Sequence, residues 1–221
     1  MMLSAHRLPA ASQSPFSAAG FTLIELLAVI AVGTAILVMA MPSLGVLSNT
    51  GNLNEAGSRI DNLLIQARQN AISKNTFTAL ILLNAAGGAE NAYRTFAIFE
   101  LKLPADGSAP TSANWAQISR WERLPDGVLA DNTQSTFFTV PTMVPALPTI
   151  SFKGQSYTAN TGYAYQVFTP GGSLASTGVS SCTLVLKKGF FQAGAPVFPP
   201  SANFYGFTIN ANNGRTKITR P

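Results

Sequence analysis

One carboxylate in this chain stands where it needs a partner. Glu25 is the sole charge in the run 21–47, which reads Phe-Thr-Leu-Ile-Glu-Leu-Leu-Ala-Val-Ile-Ala-Val-Gly-Thr-Ala-Ile-Leu-Val-Met-Ala-Met-Pro-Ser-Leu-Gly-Val-Leu. Placing a carboxylate in hydrocarbon costs about 2.5 kcal/mol or more, so a retained one implies an opposite charge that meets it. The chemistry on offer there is ion pairing. His6 is the only histidine and precedes the apolar run, which leaves the rest of the chain without an imidazole for proton transfer or metal ligation. No phosphate loop, zinc motif or dinucleotide fingerprint occurs. The glycines of Leu124-Pro-Asp-Gly-Val128 and Phe168-Thr-Pro-Gly-Gly-Ser173 are read as turn formers. The other carboxylates form no obvious pair. The expectation is a protein that is not an enzyme, with no metal, no cofactor and no small-molecule substrate.

A second group of chemically able residues lies late in the chain. All nine acids fall at or before Asp131, while Lys153, Lys187, Lys188, Arg215, Lys217 and Arg220 follow it. Lys187, Lys188, Arg215, Lys217 and Arg220 are therefore candidate contacts for an anionic polymer, and such contacts would be steeply salt-dependent. The competing reading is a solvated terminal strand and turn. Cys182, the only cysteine, excludes an internal disulfide and reads as a small buried strand residue.

The elements that carry these residues follow from hydropathy and periodicity. The run 21–47 is long enough to span a bilayer, which takes about 20 apolar residues. Arg7 and His6 lie upstream of it, and no charge follows it until Glu55 and Arg59. The positive-inside rule then keeps the N-terminus cytoplasmic and exports the remainder. Three fates compete for the run: a permanent anchor, a secretory signal cut after Val38-Met39-Ala40, and a retained helix behind a short leader. Glu25 argues against the discarded signal.

Beyond it, Leu53, Ala56, Ile60, Leu63, Leu64, Ala67 and Ala71 recur at helical spacing, which predicts an amphipathic helix over 48–73 with its stripe on a sheet. A continuous helix from Phe21 to Ser73 would be about 80 Å long. Gly51 and Gly57 weaken its start and predict a soft joint. Short β-like runs then occupy 76–83, 93–101, 118–124, 136–140, 163–168, 182–187, 204–209 and 216–219, with loops at 84–91, 105–114, 141–148 and 189–202. The last loop is apolar enough to cover a sheet or offer a contact surface.

The segment Gly20-Phe21-Thr22-Leu23-Ile24-Glu25 resembles the prepilin signature of type IV pilins and type II secretion pseudopilins. The resemblance implies cleavage between Gly20 and Phe21 by a membrane peptidase that also N-methylates Phe21. It implies that Glu25 neutralises the amino terminus of a neighbouring subunit, and that Pro42 kinks or locally melts the helix. The leader, 1–20, departs from the common pattern in its length and in lacking Lys or Arg beside the glycine.

Ala67-Arg-Gln-Asn-Ala-Ile72, Leu124-Pro-Asp-Gly-Val128, Phe168-Thr-Pro-Gly-Gly-Ser173 and Ile209-Asn-Ala-Asn-Asn-Gly-Arg-Thr-Lys217 resemble, in that order, minor pseudopilins and pilins of the GspH/FimT type. Tyr93-Arg-Thr-Phe96, the stretch 121–128 and the Pro221 ending are similar to the Verrucomicrobia cassette protein D family. The implied fold is α+β: a long N-terminal helix, transmembrane over 21–47 and amphipathic over 48–73, against a head at 74–221 built from two small antiparallel β-sheets. The implied partners are other pilin or pseudopilin subunits, the prepilin peptidase/N-methyltransferase, an inner-membrane assembly platform and membrane lipid. The implied location is the inner membrane, single-pass, with the head in the periplasm or in a filament. Some FimT-type pilins bind DNA through C-terminal basic residues, and that resemblance reaches Gly214 and Arg215, with Lys217 where a second arginine stands.

Overall fold

The computed structural model describes residues 22–84, 88, 90–139, 144, 147–176, 178–200 and 203–221, and for 35 and 37–50 only the backbone. The leader, Gly20, Phe21 and the side chain of Pro42 lie outside these described residues. The chain divides into two compact units, Met1–Gly45 and Val46–Pro221.

Helix α1 spans Leu23–Lys74. In the first unit its apolar side chains point outward on every side: Leu23, Ile24, Leu26, Leu27, Val29, Ile30, Val32 and Ile36 are all exposed. Among the described residues no helix is long and apolar enough to cross a membrane. The expected span also needs 37–47, whose side chains are not among those described.

In the second unit the helix is amphipathic as its spacing predicts. Leu53, Ala56, Ile60, Leu63, Leu64, Ala67 and Ala71 are all buried, while Glu55, Arg59 and Gln66 face solvent. Full burial of each leucine or isoleucine contributes roughly 1.5–3 kcal/mol. Asn75 ends the helix in the left-handed region, with φ 51°.

The strands are β1 Thr78–Leu83, β2 Thr95–Leu101, β3 Trp115–Gln117, β4 Glu122–Arg123, β5 Val128–Ala130, β6 Ile150–Phe152 and β7 Gln155–Tyr157. They continue with β8 Tyr163–Phe168, β9 Ser181–Lys188, β10 Phe190–Gln192, β11 Ala195–Val197, β12 Phe204–Asn210 and β13 Thr216–Thr219. One sheet runs β3-β2-β1-β8 with β4 also on β2, and the other runs β13-β12-β9-β5; all pairings are antiparallel. The architecture is α+β.

Both sheets close on the stripe of α1. Leu80, Leu82, Phe96, Ile98 and Phe168 from the first sheet share a core with Leu184, Leu186, Phe207 and Ile209 from the second. The first sheet is buried on its far face too, where Ile81, Ala97 and Phe99 meet Ile150, Phe152 and Tyr157 of the β6–β7 hairpin. Burial on both faces explains why β1 reads Thr-Ala-Leu-Ile-Leu-Leu, with no polar alternation.

Some expected elements change. The run 136–140, expected as a strand, forms a 3-10 turn over Thr136–Phe138. Side-chain hydroxyls do there what a strand backbone would. Ser135 Oγ accepts the Val185 N–H at 2.8 Å and Thr136 Oγ1 accepts the Thr183 N–H at 2.8 Å, satisfying the edge of β9. The loop expected at 189–202 contains the β10–β11 hairpin.

Gly57 is not a joint. It is buried, and a Cβ there would run into the Tyr205 ring, which stacks on Phe207 at 5.2 Å. Helix propensity alone would make Gly57→Ala stabilising by about 1 kcal/mol. Overpacking of a fixed ring costs roughly 1–3 kcal/mol and outweighs it. Gly51, exposed with nothing within 4 Å of a built Cβ, lacks that penalty. Thermal unfolding should show Gly51→Ala raising the midpoint and Gly57→Ala lowering it; a stabilised Gly57→Ala would mean the ring does not sit there.

Candidate functional site

Thr22 and Glu25 form a reciprocal cap at the start of α1. The Thr22 N–H donates to Glu25 Oε2 at 2.9 Å, and the Thr22 hydroxyl donates to the same oxygen at 2.8 Å. The Glu25 N–H in turn donates to Thr22 Oγ1 at 3.3 Å. This is the Thr-x-x-Glu capping box, in which a side chain at each end satisfies amides that the first helical turn leaves open. A negative charge at that end is further favoured by the helix dipole. The carboxylate is therefore held at the mouth of the helix, beside the residue that follows Phe21. Sequence reasoning singled out Glu25 and passed over Thr22, although the pattern is local and legible.

The late basic residues separate in space. Lys187 points its ammonium at Asp131, with Nζ 2.9 Å from Oδ2, and both side chains are largely buried. Asp131 also accepts from the Thr133 N–H at 2.8 Å, the Thr133 hydroxyl at 2.6 Å and the Gln134 N–H at 3.2 Å. Burial pushes the Asp131 carboxyl up, and the Thr133 and Lys187 contacts outweigh it, holding the group below the usual carboxylate range.

Lys188 and Arg220 share a groove with Leu53, Asn54, Phe204 and Tyr205. The Arg220 guanidinium lies 4.2 Å from the Tyr205 ring centroid and donates to its hydroxyl, so it is stacked on the aromatic that sits over Gly57. Arg215 lines a different groove, between α1 and β13, together with Arg68, Gln69, Ile65 and Ile218. Lys217 pairs in register with Thr208, one position away from the Phe207–Ile218 pair, and so faces the side of the sheet opposite α1. The five cations thus occupy several sides of the second sheet.

These observations assemble a capped, uncovered apolar helix start and a helix-on-two-sheets head. This chain is similar to minor pilins and pseudopilins. The minor pseudopilin EpsH from the type 2 secretion system of Vibrio cholerae aligns over 77% of this chain and 98% of its own, at 12% identity and a TM-score of 0.43. The type IV minor pilin FimU of Pseudomonas aeruginosa aligns over 79% and 96%, at 14% identity and a TM-score of 0.43. Both likenesses are loose. No family model matches the sequence, and no curated protein matches it.

Sequence reasoning quoted Arg68 within the Ala67–Ile72 segment and gave it no role of its own. Its Nε–H donates to the Gly172 carbonyl at 3.2 Å and the Asn213 carbonyl at 3.0 Å, tying α1 to the turn after β8 and the turn between β12 and β13. Both turns belong to segments picked out from the sequence, but nothing local in either shows that they meet. Cys182 is buried, and burial pushes its thiol up to about 12, so it is no nucleophile.

Proposed function

We propose that this chain is a pilin-like assembly subunit, a minor pilin or pseudopilin of a type IV pilus or a type II secretion-like machine. The observation that carries the reading is the start of α1: an apolar surface exposed on every side, interrupted by one carboxylate. Such a surface is covered by lipid, by other helices, or by each in turn. In this reading the leader is cut after Gly20 by a prepilin peptidase. The freed amine of Phe21 on one subunit then meets Glu25 of its neighbour, and the charge pair offsets the cost of burying either ion alone. In the same reading Pro42 kinks or locally melts the helix. The subunit waits in the inner membrane, single-pass, with its head outside the cytoplasm, until an assembly platform draws it into a filament.

The intramolecular cap supports this sequence of events. Before assembly the Thr22 N–H and hydroxyl already donate to the Glu25 carboxylate, so part of its hydrogen-bonding need is met by its own helix end. DNA uptake through the basic C-terminal region takes second place. Lys187 is engaged by Asp131, and Arg215, Lys217 and Arg220 do not share one groove.

Glu25→Gln tests the assembly reading, because glutamine keeps an oxygen for the Thr22 cap and removes the charge. Folding of the head and trimming of the leader should be retained, while co-purification with partner subunits falls by about tenfold or more. Undiminished co-purification would remove the ion-pair role. Mass spectrometry of native material should give a terminus at Phe21; a terminus near Met41, or an untrimmed chain, would end the filament-subunit account.

A further inference from the structure

The groove between α1 and β13 holds a guanidinium fixed in place and left open. Arg68 is half-buried, and its Nε is committed to the Gly172 and Asn213 carbonyls, which sets the plane of the group. Its two terminal nitrogens find no partner among the described residues. That is the geometry of a fork for a carboxylate, with the ordering cost already met by the fold. Arg215 lines the same groove, exposed and likewise unpaired among the described residues. Asp61 lines it too but makes no ion pair with either arginine; seven residues from Arg68, it lies about 10 Å away along the helix axis. Ile65 is 44% exposed and Ile218 39% exposed, and they give the groove apolar walls. β13 is the last strand of its sheet and among the described residues pairs only with β12, so among these its outer edge offers unpaired backbone N–H and C=O groups.

We propose that this groove takes an extended, acidic segment of a partner subunit. The segment adds as a strand to the free edge of β13, with one carboxylate on the Arg68 fork, near Arg215, and its apolar side chains against Ile65 and Ile218. The naming of a partner subunit rests on the assembly reading above. A second copy of β13 is a poor occupant, because Arg215 and Lys217 would face their own kind. The ninety residues after Asp131 contain no acid at all, so none of the strands from β6 onward can supply the carboxylate. Nucleic acid would use the cations but neither the isoleucines nor the strand edge.

The test uses the full chain in detergent micelles and two labelled peptides, TDVEVT and its amide counterpart TNVQVT, read by fluorescence anisotropy. TDVEVT should bind and TNVQVT should bind about tenfold more weakly. Arg68→Lys keeps the charge but loses the fork, and should also weaken TDVEVT by about tenfold. Arg215→Ala, at an exposed site, should weaken it in the same direction and guards against misfolding of the Arg68 variant. Arg120→Ala, at another exposed arginine, should leave binding unchanged. Glu25→Gln should bind the peptide normally, which separates this test from that of helix assembly. Absence of TDVEVT binding, equal binding of the two peptides, full affinity in both Arg68→Lys and Arg215→Ala, or displacement of the peptide by duplex DNA would each overturn the proposal.

Discussion

Gly214→Ala should destabilise the head by about 3 kcal/mol or more and lower its thermal midpoint well below that of any neighbouring glycine substitution. Gly214 has φ +61°, where an L side chain costs about 1–2 kcal/mol. A Cβ at this position would also run into the carbonyl oxygen of Gly172. That carbonyl accepts the Arg68 Nε–H, so moving it away breaks the hydrogen bond that ties the turn after β8 to α1. Gly172 has little room to give way, because its Cα is already packed closely against Ile72 and Arg68. Strain and a lost charge-assisted hydrogen bond therefore act at one point. Gly171→Ala is the matched control: its backbone is not left-handed, and a built Cβ meets only the Thr169 hydroxyl, at 3.7 Å. Thermal or urea unfolding of the two variants should differ sharply. Equal midpoints would show that the turns do not press on each other.

The second large effect is at Asp131. Asp131→Ala should cost about 3 kcal/mol, near the lower end of the range for breaking a buried ion pair, because Lys187 keeps some exposure and can turn its ammonium toward water. The pH dependence follows from the depressed carboxyl of Asp131. Its contribution is complete above the pKa of an unfolded aspartate, near 3.9. It declines as pH falls through the lower pKa of the folded state and is gone below it. Asp131→Asn retains an acceptor for the Thr133 and Gln134 amides but cannot titrate, so its stability should fall less steeply than wild type between about pH 5 and pH 2. Urea midpoints measured across that window check this. A parallel acid limb in Asp131→Asn would show that the Asp131 carboxyl is not depressed and that the Thr133 and Lys187 contacts do not favour its charged form.

Periodicity made much of the fold readable. The seven-residue stripe on α1 is buried throughout, β8 lies at 163–168 and β13 at 216–219, all as expected. These elements carry their own pattern, an apolar face repeating at the period of the backbone. The strand β5 and the hairpin β6–β7 were not read as strands, since three-residue strands hold too few side chains for alternation to show. The run 136–140 misled for a different reason. Its β-branched and aromatic residues suit a strand, but Ser135 and Thr136 reach β9 through hydroxyls while Phe137 turns into the core.

The same division runs through the candidate sites. Sequence alone placed Glu25 in its apolar run and could have placed the Thr22 cap, because a carboxylate's cost and a first helical turn are both local matters. The charge imbalance after Asp131 was equally plain, but its meaning was not. Lys187 is taken by Asp131, Arg220 lies on Tyr205, Lys217 looks away from α1, and Arg68 joins Arg215 from another element. Pairing of this kind depends on strand register and on which turns meet, and both are set by packing among residues far apart in the chain. The sequence decided that the chain would carry a lone acid in an apolar run and a basic C-terminal region; only the tertiary structure decided which of those cations remain open to a partner.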